Sequence, residues 1–250
     1  MDRELRKFAA DLHVHTALSP CADDSCTPAN LVSAAVRHGL DIIAVTDHNS
    51  AENVGAVARC GRRNSLTVIP GMEVTTAEEV HLVCLLNNVE SALALQDIIY
   101  SVLPGADNAP DIFGRQLVID EDGATVRECP RLLAVAAGIS AQDVVKTVHG
   151  LGGLAFAAHV DRPSYSLIAN LGFVPPELEL DALEISAATT RDAAVAQFPG
   201  ISGYPLVCGS DAHNPDLVGA GLTLLLMRDA SLGEIAGALR GAGGRESLIQ

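Results

Sequence analysis

The sequence predicts an α/β fold, and three observations carry that prediction. Short apolar runs alternate with segments of helical periodicity, as a parallel sheet with crossover helices requires. The chain has 250 residues, a length at which α/β barrels form one domain, so residues 1–250 are expected as a single domain. Apolar residues make up 48% and charged residues 19% of the chain, which supplies a full core and excludes a disordered chain.

FAADLHVH reads as the first strand. Thr27-Pro28 then opens a helix through Leu31 and Ala35 to His38-Gly39, with Thr27 as N-cap and Pro28 at the first helical position. DIIAVTDH is the second strand, followed by a helix from Ala51 to Arg62, strands LTVIPGMEVTT and EEVHLVCLL, and a helix over 89–103. The pattern breaks at 104–139, where QLVIDEDGATVRE alternates around Asp122-Gly123 and reads as an inserted β-hairpin, a lid or an edge. Alternation resumes with a helix from Ser140 to His149-Gly150, strand GLAFAAHV, a short helix near Ser166–Asn170 and strand LDALEIS. A helix near Thr190, strand PLVCGSDAH, strand GLTLLLM and helix SLGEIAGALR complete the series, and GAGGR is expected to fray.

The formal charge of −15 repels phosphodiester backbones. With 3% aromatic residues and no Trp, the chain has few rings for stacking single strands, which argues against an extended nucleic acid as partner. MDRELRKFAADLH has no apolar signal core, and no apolar stretch reaches membrane-spanning length, so neither a signal peptide nor a membrane is expected. Six scattered cysteines suit a reducing compartment, and the expected location is cytoplasmic.

Chemistry concentrates where strands end. ADLHVH carries His13 and His15, IIAVTDH carries Asp47 and His48, LAFAAH ends in His159, and LVCGSDAH carries Asp211 and His213. Parallel barrel strands direct their carboxyl ends to one face, where these residues meet. Glu73 follows VIPGM, and His81 lies on the strand beside it. A His-x-His pair on a strand projects both rings to one side. Three His/Asp clusters exceed the ligand count of one tetrahedral zinc and call for two or three divalent ions, which a carboxylate such as Glu73 can bridge. His38 and His149, each followed by Gly at a helix end, are read as structural.

DLHVHT, AVTDHN, GMEVTT, VHLVCL, AAHVD and GSDAHN, in this order, resemble the PHP family, named for polymerase and histidinol phosphatase. That resemblance covers residues 9–220 and implies a distorted (β/α)7 TIM-like barrel holding two or three ions of zinc, manganese or iron. It implies that His13 and His15 share one ion with Glu73 and Asp211, that Glu73 bridges to a second ion held by His81 and His159, and that His48 and His213 hold a third. SPCADD departs from the family pattern by offering Cys21, Asp23 or Asp24 as the remaining ligand; Cys21 aligns best by spacing and favours a softer ion. Arg162, three residues beyond His159, stands where the family often has a phosphate-facing base, and Arg191 is a second, weaker candidate.

The expected activity is hydrolysis of a phosphate ester, a small phosphomonoester above all, by a metal-activated hydroxide. Asp47 or His213 would handle the leaving-group proton, and Arg162 the equatorial charge. The alternatives are an amidohydrolase-like hydrolase of C–N or C–O bonds and a non-catalytic, metal-stabilised module that associates with a DNA polymerase.

Overall fold

The computed structural model describes residues 4–249; of the amino-terminal segment read as lacking a signal core, residues 1–3 lie outside the described residues, as does residue 250. The strands are β1 (Arg6–Val14), β2 (Ile42–Val45), β3 (Thr67–Thr75), β4 (His81–Leu85), β5 (Leu117–Ile119), β6 (Thr125–Glu128), β7 (Leu154–Ala157), β8 (Ala182–Ser186), β9 (Leu206–Gly209), β10 (Thr223–Met227) and β11 (Glu246–Ile249). The helices are α1 (Pro28–Arg37), α2 (Val54–Arg63), α3 (Val89–Val102), α4 (Pro110–Phe113), α5 (Ala141–Gly150), α6 (Leu167–Leu171), α7 (Arg191–Gln197) and α8 (Leu232–Leu239). Side-chain oxygens of Thr27, Asn88, Ser140, Ser166, Thr190 and Ser231 each accept a backbone N–H at a helix start, which explains where α1, α3, α5, α6, α7 and α8 begin.

Nine strands form one sheet in the order β11-β10-β1-β2-β3-β4-β7-β8-β9, and it curls into a nearly closed barrel. The segment after β9 returns to β1: His15 N–H donates to the Ala212 carbonyl at 3.0 Å, and Ser210 N–H to the Asp11 carboxylate at 3.0 Å. Two strands depart from the parallel arrangement that the sequence pattern suggests. β4 runs antiparallel to both β3 and β7, and β10 runs antiparallel to β1 and β11. The link from β3 to β4 has no room for a crossover helix, so the chain reverses. GAGGR, expected to fray, instead forms a tight turn into β11, and α5 runs through Gly150 so that Gly152 takes the left-handed position.

Two apolar clusters lie on the two sides of the sheet. The interior one takes Phe8, Ala10 and Leu12 from β1, Ile42 and Ala44 from β2, Ile69 from β3, Val83 and Leu85 from β4, and Leu154 and Phe156 from β7. Ala182, Val207 and Leu225 continue it around the barrel. Leu232, Ile235 and Leu239 of α8 join this cluster, and because Met227 pairs with Arg6, α8 closes the barrel at the start of β1. Each fully buried large side chain here contributes about 1.5–3 kcal/mol. The other end of the barrel is therefore where polar chemistry sits.

The insertion is anchored. β5 and β6 form their own two-stranded sheet, and buried Asn53 donates to Thr16 Oγ1 (2.8 Å) and the Leu117 carbonyl (2.9 Å) while accepting Ile119 N–H (2.9 Å). Replacing Asn53 by Ala leaves these buried groups unpaired, so Asn53→Ala is expected to lower the unfolding free energy by about 2–4 kcal/mol, read from urea melts. It should also open the segment 114–130 to limited proteolysis before the barrel.

Candidate metal centre

Side-chain alternation selects the residues that reach the open end. Continuing each strand from its interior apolar residue in steps of two gives His48 from Ala44, Glu73 from Ile69, His81 from Val83, Glu184 from Ala182 and Asp211 from Val207. His81 arrives at the same end because β4 is reversed: it is the first residue of that strand and pairs with Thr75. β1 needs a correction to its alternation. Its ladder with β2 shifts register between Asp11 and Val14, and Val14 belongs to the outer cluster although Leu12 belongs to the interior one. This irregularity resets the alternation, and His13 and His15 follow Leu12 to the inside. His159 and Asp211 sit beyond their strands with φ of 31° and 50°, in the left-handed region that non-glycine residues occupy at a cost of about 1–3 kcal/mol.

Glu73 is the centre of the resulting group. Its Oε1 lies 2.9 Å from His81 Nδ1 and 3.4 Å from both His13 Nε2 and His159 Nε2. Its Oε2 lies 3.0 Å from His48 Nδ1 and 3.4 Å from His15 Nε2. Asp211 Oδ1 is 3.0 Å from His15 Nε2 and 3.4 Å from His13 Nε2 and His213 Nδ1, while its Oδ2 takes the Arg162 guanidinium. Three sets of donor atoms converge within 4.8 Å of one another: His13, His15, Glu73 and Asp211; His48, Glu73 and His81; and His15, His48 and His213.

These residues fit divalent ions. Both Glu73 oxygens, Asp211 Oδ1, His48 Nδ1 and His81 Nδ1 are buried without a hydrogen-bond partner. Unpaired buried polar atoms cost about 1–3 kcal/mol each, so this group alone rivals the whole stability of a domain unless a cation meets it. Electrostatics point the same way. Burial would push the Glu73 carboxyl up, but the charges of His81, His13 and His48 overcome it and hold the group well below the usual carboxylate range. Burial likewise opposes protonation of His13 and His48, yet the carboxylates beside them hold both well above the ordinary histidine value. His15, buried beside His213 and His48, is driven well below it, and burial also lowers His81. Two carboxylates thus recruit positive charge from the nearest rings, the charge a metal would otherwise bring.

Cys21 lies at the mouth and is the exposed one of six free cysteines. Desolvation would raise its thiol, but hydrogen bonds with His213 and His48 bring it down to about 6. Asp23 and Asp24, the other two candidates for this place, point elsewhere. Asp23 accepts the N–H of Ser25 in a local turn at 2.8 Å, and Asp24 pairs with Arg115 at 3.1 Å. Arg191 is also removed from the site, since it starts α7 and lines a separate cavity with Tyr204 and Leu206.

Asp47 points away from the rings. Its carboxylate oxygens accept Thr16 N–H (2.7 Å), Thr16 Oγ1 (2.8 Å) and Ser19 Oγ (2.8 Å), so the carboxylate is linked to the rings through Ser19, whose oxygen lies 2.8 Å from His15 Nδ1. A direct proton transfer to substrate from Asp47 is therefore ruled out by its enclosure. His38 and His149 stay outside the group, His149 pairing with Asp181 at 2.9 Å.

Sequence reasoning missed Glu184, Ser19, Asn49 and Tyr165. Glu184 lies against His13 Nδ1 at 2.8 Å, and its strand-interior position in LDALEIS was the available signal. Ser19 and Asn49 carried none. Asn49, at φ 50°, donates to the carbonyls of Leu133 and Val135 at 2.8 Å and accepts Thr75 N–H, which pins 133–135 beside Glu73's strand. Residues 134–136, with Tyr165, Glu79, Thr75, His81, His48 and Cys21, line a cleft of about 360 Å³. The Tyr165 ring stacks on His81 at 4.7 Å. The insertion therefore contributes a fixed wall through 134–136, and its hairpin lies outside the cleft lining; this corrects the expectation of a hairpin lid.

Comparisons with known proteins agree with this geometry. The PHP domain model matches residues 11–122, the segment that carries His13, His15, His48, Glu73 and His81. The uncharacterized protein MJ1587 of Methanocaldococcus jannaschii is 23% identical over 194 residues, spanning 74% of this chain and 85% of that one. The 5'-3' exoribonuclease Rnm of Salmonella typhimurium is 37% identical over 75 residues, 28% of this chain and 24% of that protein. In three dimensions the chain is similar to the lesion-specific endonuclease PfuEndoQ of Pyrococcus furiosus, with a TM-score of 0.70 at 17% identity, covering 97% of this chain and 58% of that one. This chain thus spans little more than half of that endonuclease and about a quarter of the exoribonuclease. Among the described residues no helix is long and apolar enough to cross a membrane. The PHP domain model thus covers the part of the chain that supplies His13, His15, His48, Glu73 and His81, and the nearly closed barrel that carries them has the fold of the endonuclease.

Proposed function

We propose that the chain is a metal-dependent phosphoesterase whose substrate is a small phosphomonoester. The observation that carries this reading is Glu73, a buried carboxylate with two unpaired oxygens and five imidazoles within 3.4 Å. Divalent ions bound there would acidify a water and polarise a phosphoryl oxygen. His13, His15, Glu73 and Asp211 would hold one ion, and His81 and His159 with Glu73 a second.

Arg162 stands at the rim on Asp211, with its guanidinium half-exposed, and would neutralise equatorial phosphoryl oxygens. His213 is the most exposed of the six rings and donates the leaving-group proton if its ring remains free of metal. Ligation and proton donation exclude each other, because a ligating imidazole nitrogen has no proton to give. Metal that protects Cys21 from alkylation would assign His213, His48 and Cys21 to a third ion.

Two features favour a small substrate. The cleft volume falls in the range of small-molecule sites, about 300–1,000 Å³. Surface arginines are turned onto carboxylates, Arg59 on Glu121 (2.8 Å), Arg63 on Asp122 (3.1 Å), Arg115 on Glu128 (2.7 Å) and Arg127 on Glu52, which removes them from tracking a phosphate backbone. A nucleic-acid substrate is the second reading, and the names of the exoribonuclease and endonuclease relatives favour it.

Four outcomes are expected. Zinc or manganese added to metal-free protein raises the melting temperature of the wild type and not of Glu73→Gln, by calorimetry; an equal rise in both would refute the assignment. A panel of aryl phosphates, nucleoside monophosphates, single-stranded oligonucleotides and abasic duplexes shows turnover of monoesters alone, whereas cleavage confined to polynucleotides would establish the second reading. Arg162→Ala lowers kcat/KM for the monoester by about 10- to 100-fold, the loss of one charge-assisted hydrogen bond, with metal content unchanged by mass spectrometry. Iodoacetamide at neutral pH labels Cys21 before the five buried cysteines, by peptide mass spectrometry, and added metal slows that labelling if the third ion is bound.

A further inference from the structure

Glu184 is a fully enclosed acid in the middle of β8, 2% exposed, that makes contact with two residues placed around different ions. Its Oε2 lies 2.8 Å and its Oε1 3.1 Å from His13 Nδ1, across a sequence separation of 171 residues. The same Oε2 accepts the backbone N–H of His159 at 3.2 Å, at the residue whose φ is 31°. Among the described residues Glu184 is the charged group on that side of His13, since Glu73 and Asp211 both face its Nε2. The opposite strand is cut away to make room. A Cβ built on Gly209 would overlap Glu184 Oε1 and stand 2.7 Å from His13 Cβ. Gly209 pairs with Ser186, so β8 and β9 meet there without a side chain from β9.

We infer that Glu184 is a positioning residue for the metal centre, fixing the tautomer of His13 and the strained backbone of His159 through one carboxylate. This rests on the metal-centre reading above. A carboxylate only accepts, so the proton of a neutral His13 ring must sit on Nδ1. The Nε2 lone pair is then directed to the point where His15, Glu73 and Asp211 converge, and the anion behind the ring raises its basicity as a donor. The His159 N–H held by the same oxygen orients the ring that faces Glu73 Oε1. Displacing this one acid disturbs donors of two ions together.

His15 provides an internal comparison. Its Nδ1 faces the neutral hydroxyl of Ser19, which donates to Asp47 and also accepts the His48 N–H at 3.1 Å. The two rings of the His-x-His pair are thus oriented by different chemistry: a direct anion behind His13, a relayed one behind His15. Loss of charge at Glu184 is therefore expected to matter more than loss of the Ser19 hydroxyl.

The test compares wild type, Glu184→Gln, Gly209→Ala and Ser19→Ala in zinc competition against a fluorescent chelator, beside urea melts of the metal-free proteins. Glu184→Gln keeps the shape and removes the charge, and Gly209→Ala keeps the acid and displaces it. Both are expected to weaken zinc binding by about 10- to 100-fold, and Ser19→Ala by less. Long-range proton–nitrogen spectra of wild-type zinc protein should show His13 protonated at Nδ1. Wild-type affinity in folded Glu184→Gln, or a His13 proton on Nε2, overturns the inference while leaving the metal centre standing. A wild type that binds no zinc overturns the metal-centre reading and this inference with it.

Discussion

A carboxylate buried among five imidazoles is a demanding object to build, and the rest of the barrel answers to it. Glu73 has no solvent to stabilise its charge, so its neighbours must be brought within a few ångströms from strands far apart in the chain. The sheet does this by carrying one alternating register from an apolar interior to a polar rim. Where regular alternation would misdirect a ring, the backbone departs from it: a register shift in β1 for His13 and His15, a reversed strand for His81, left-handed residues for His159 and Asp211. Each departure occurs beside the centre. Strain of this kind persists where surrounding structure over-determines it, and the fully packed interior below supplies that determination.

Around the donors lies a layer of acceptors and amides with no access to solvent. Asp47, Thr16, Ser19 and Asn53 form one connected set, which ties the loop after β1 to α2 and to the inserted hairpin. Asn49 connects Glu73's strand to the cleft wall at 133–135. Asp11, buried and pushed up to about 6 by desolvation, still accepts the N–H groups of Ser210 and Gly219, closing the barrel behind Asp211. The inserted segment is thus continuous with the hydrogen bonding of the site, and it shapes the cleft as a rigid part.

Much of this was legible in the sequence because it depends on local pattern. Histidines and acids at the ends of apolar runs announced a shared rim, and the six quoted segments carried the family resemblance. Asp47 was expected opposite His48 from alternation alone, and it is found there. Strand direction was not legible: EEVHLVCLL reads the same in either sense, and only the shortness of its link to LTVIPGMEVTT distinguishes them. Glu184 was passed over because a single acid inside LDALEIS lacks a neighbouring His. The interior alternation that places it becomes visible only once Ala182 is known to face inward. The choice among Cys21, Asp23 and Asp24 turned on a loop whose path follows from the Asp23 turn and the Arg115 pair, neither of which has a periodic signature.

The reversal of β4 also sets an order of assembly. Glu73 and His81 face each other across an antiparallel pair joined by a short turn, a contact whose loop-closure entropy is small. His13 and Glu184 meet across 171 residues, after β7 and β8 have joined the sheet. The donors of the centre thus divide by topology into an early pair, formed by a hairpin, and late partners that await closure of the barrel. A growing chain holds a paired carboxylate and imidazole well before it holds the rest, so the full set of donors belongs to the closed barrel.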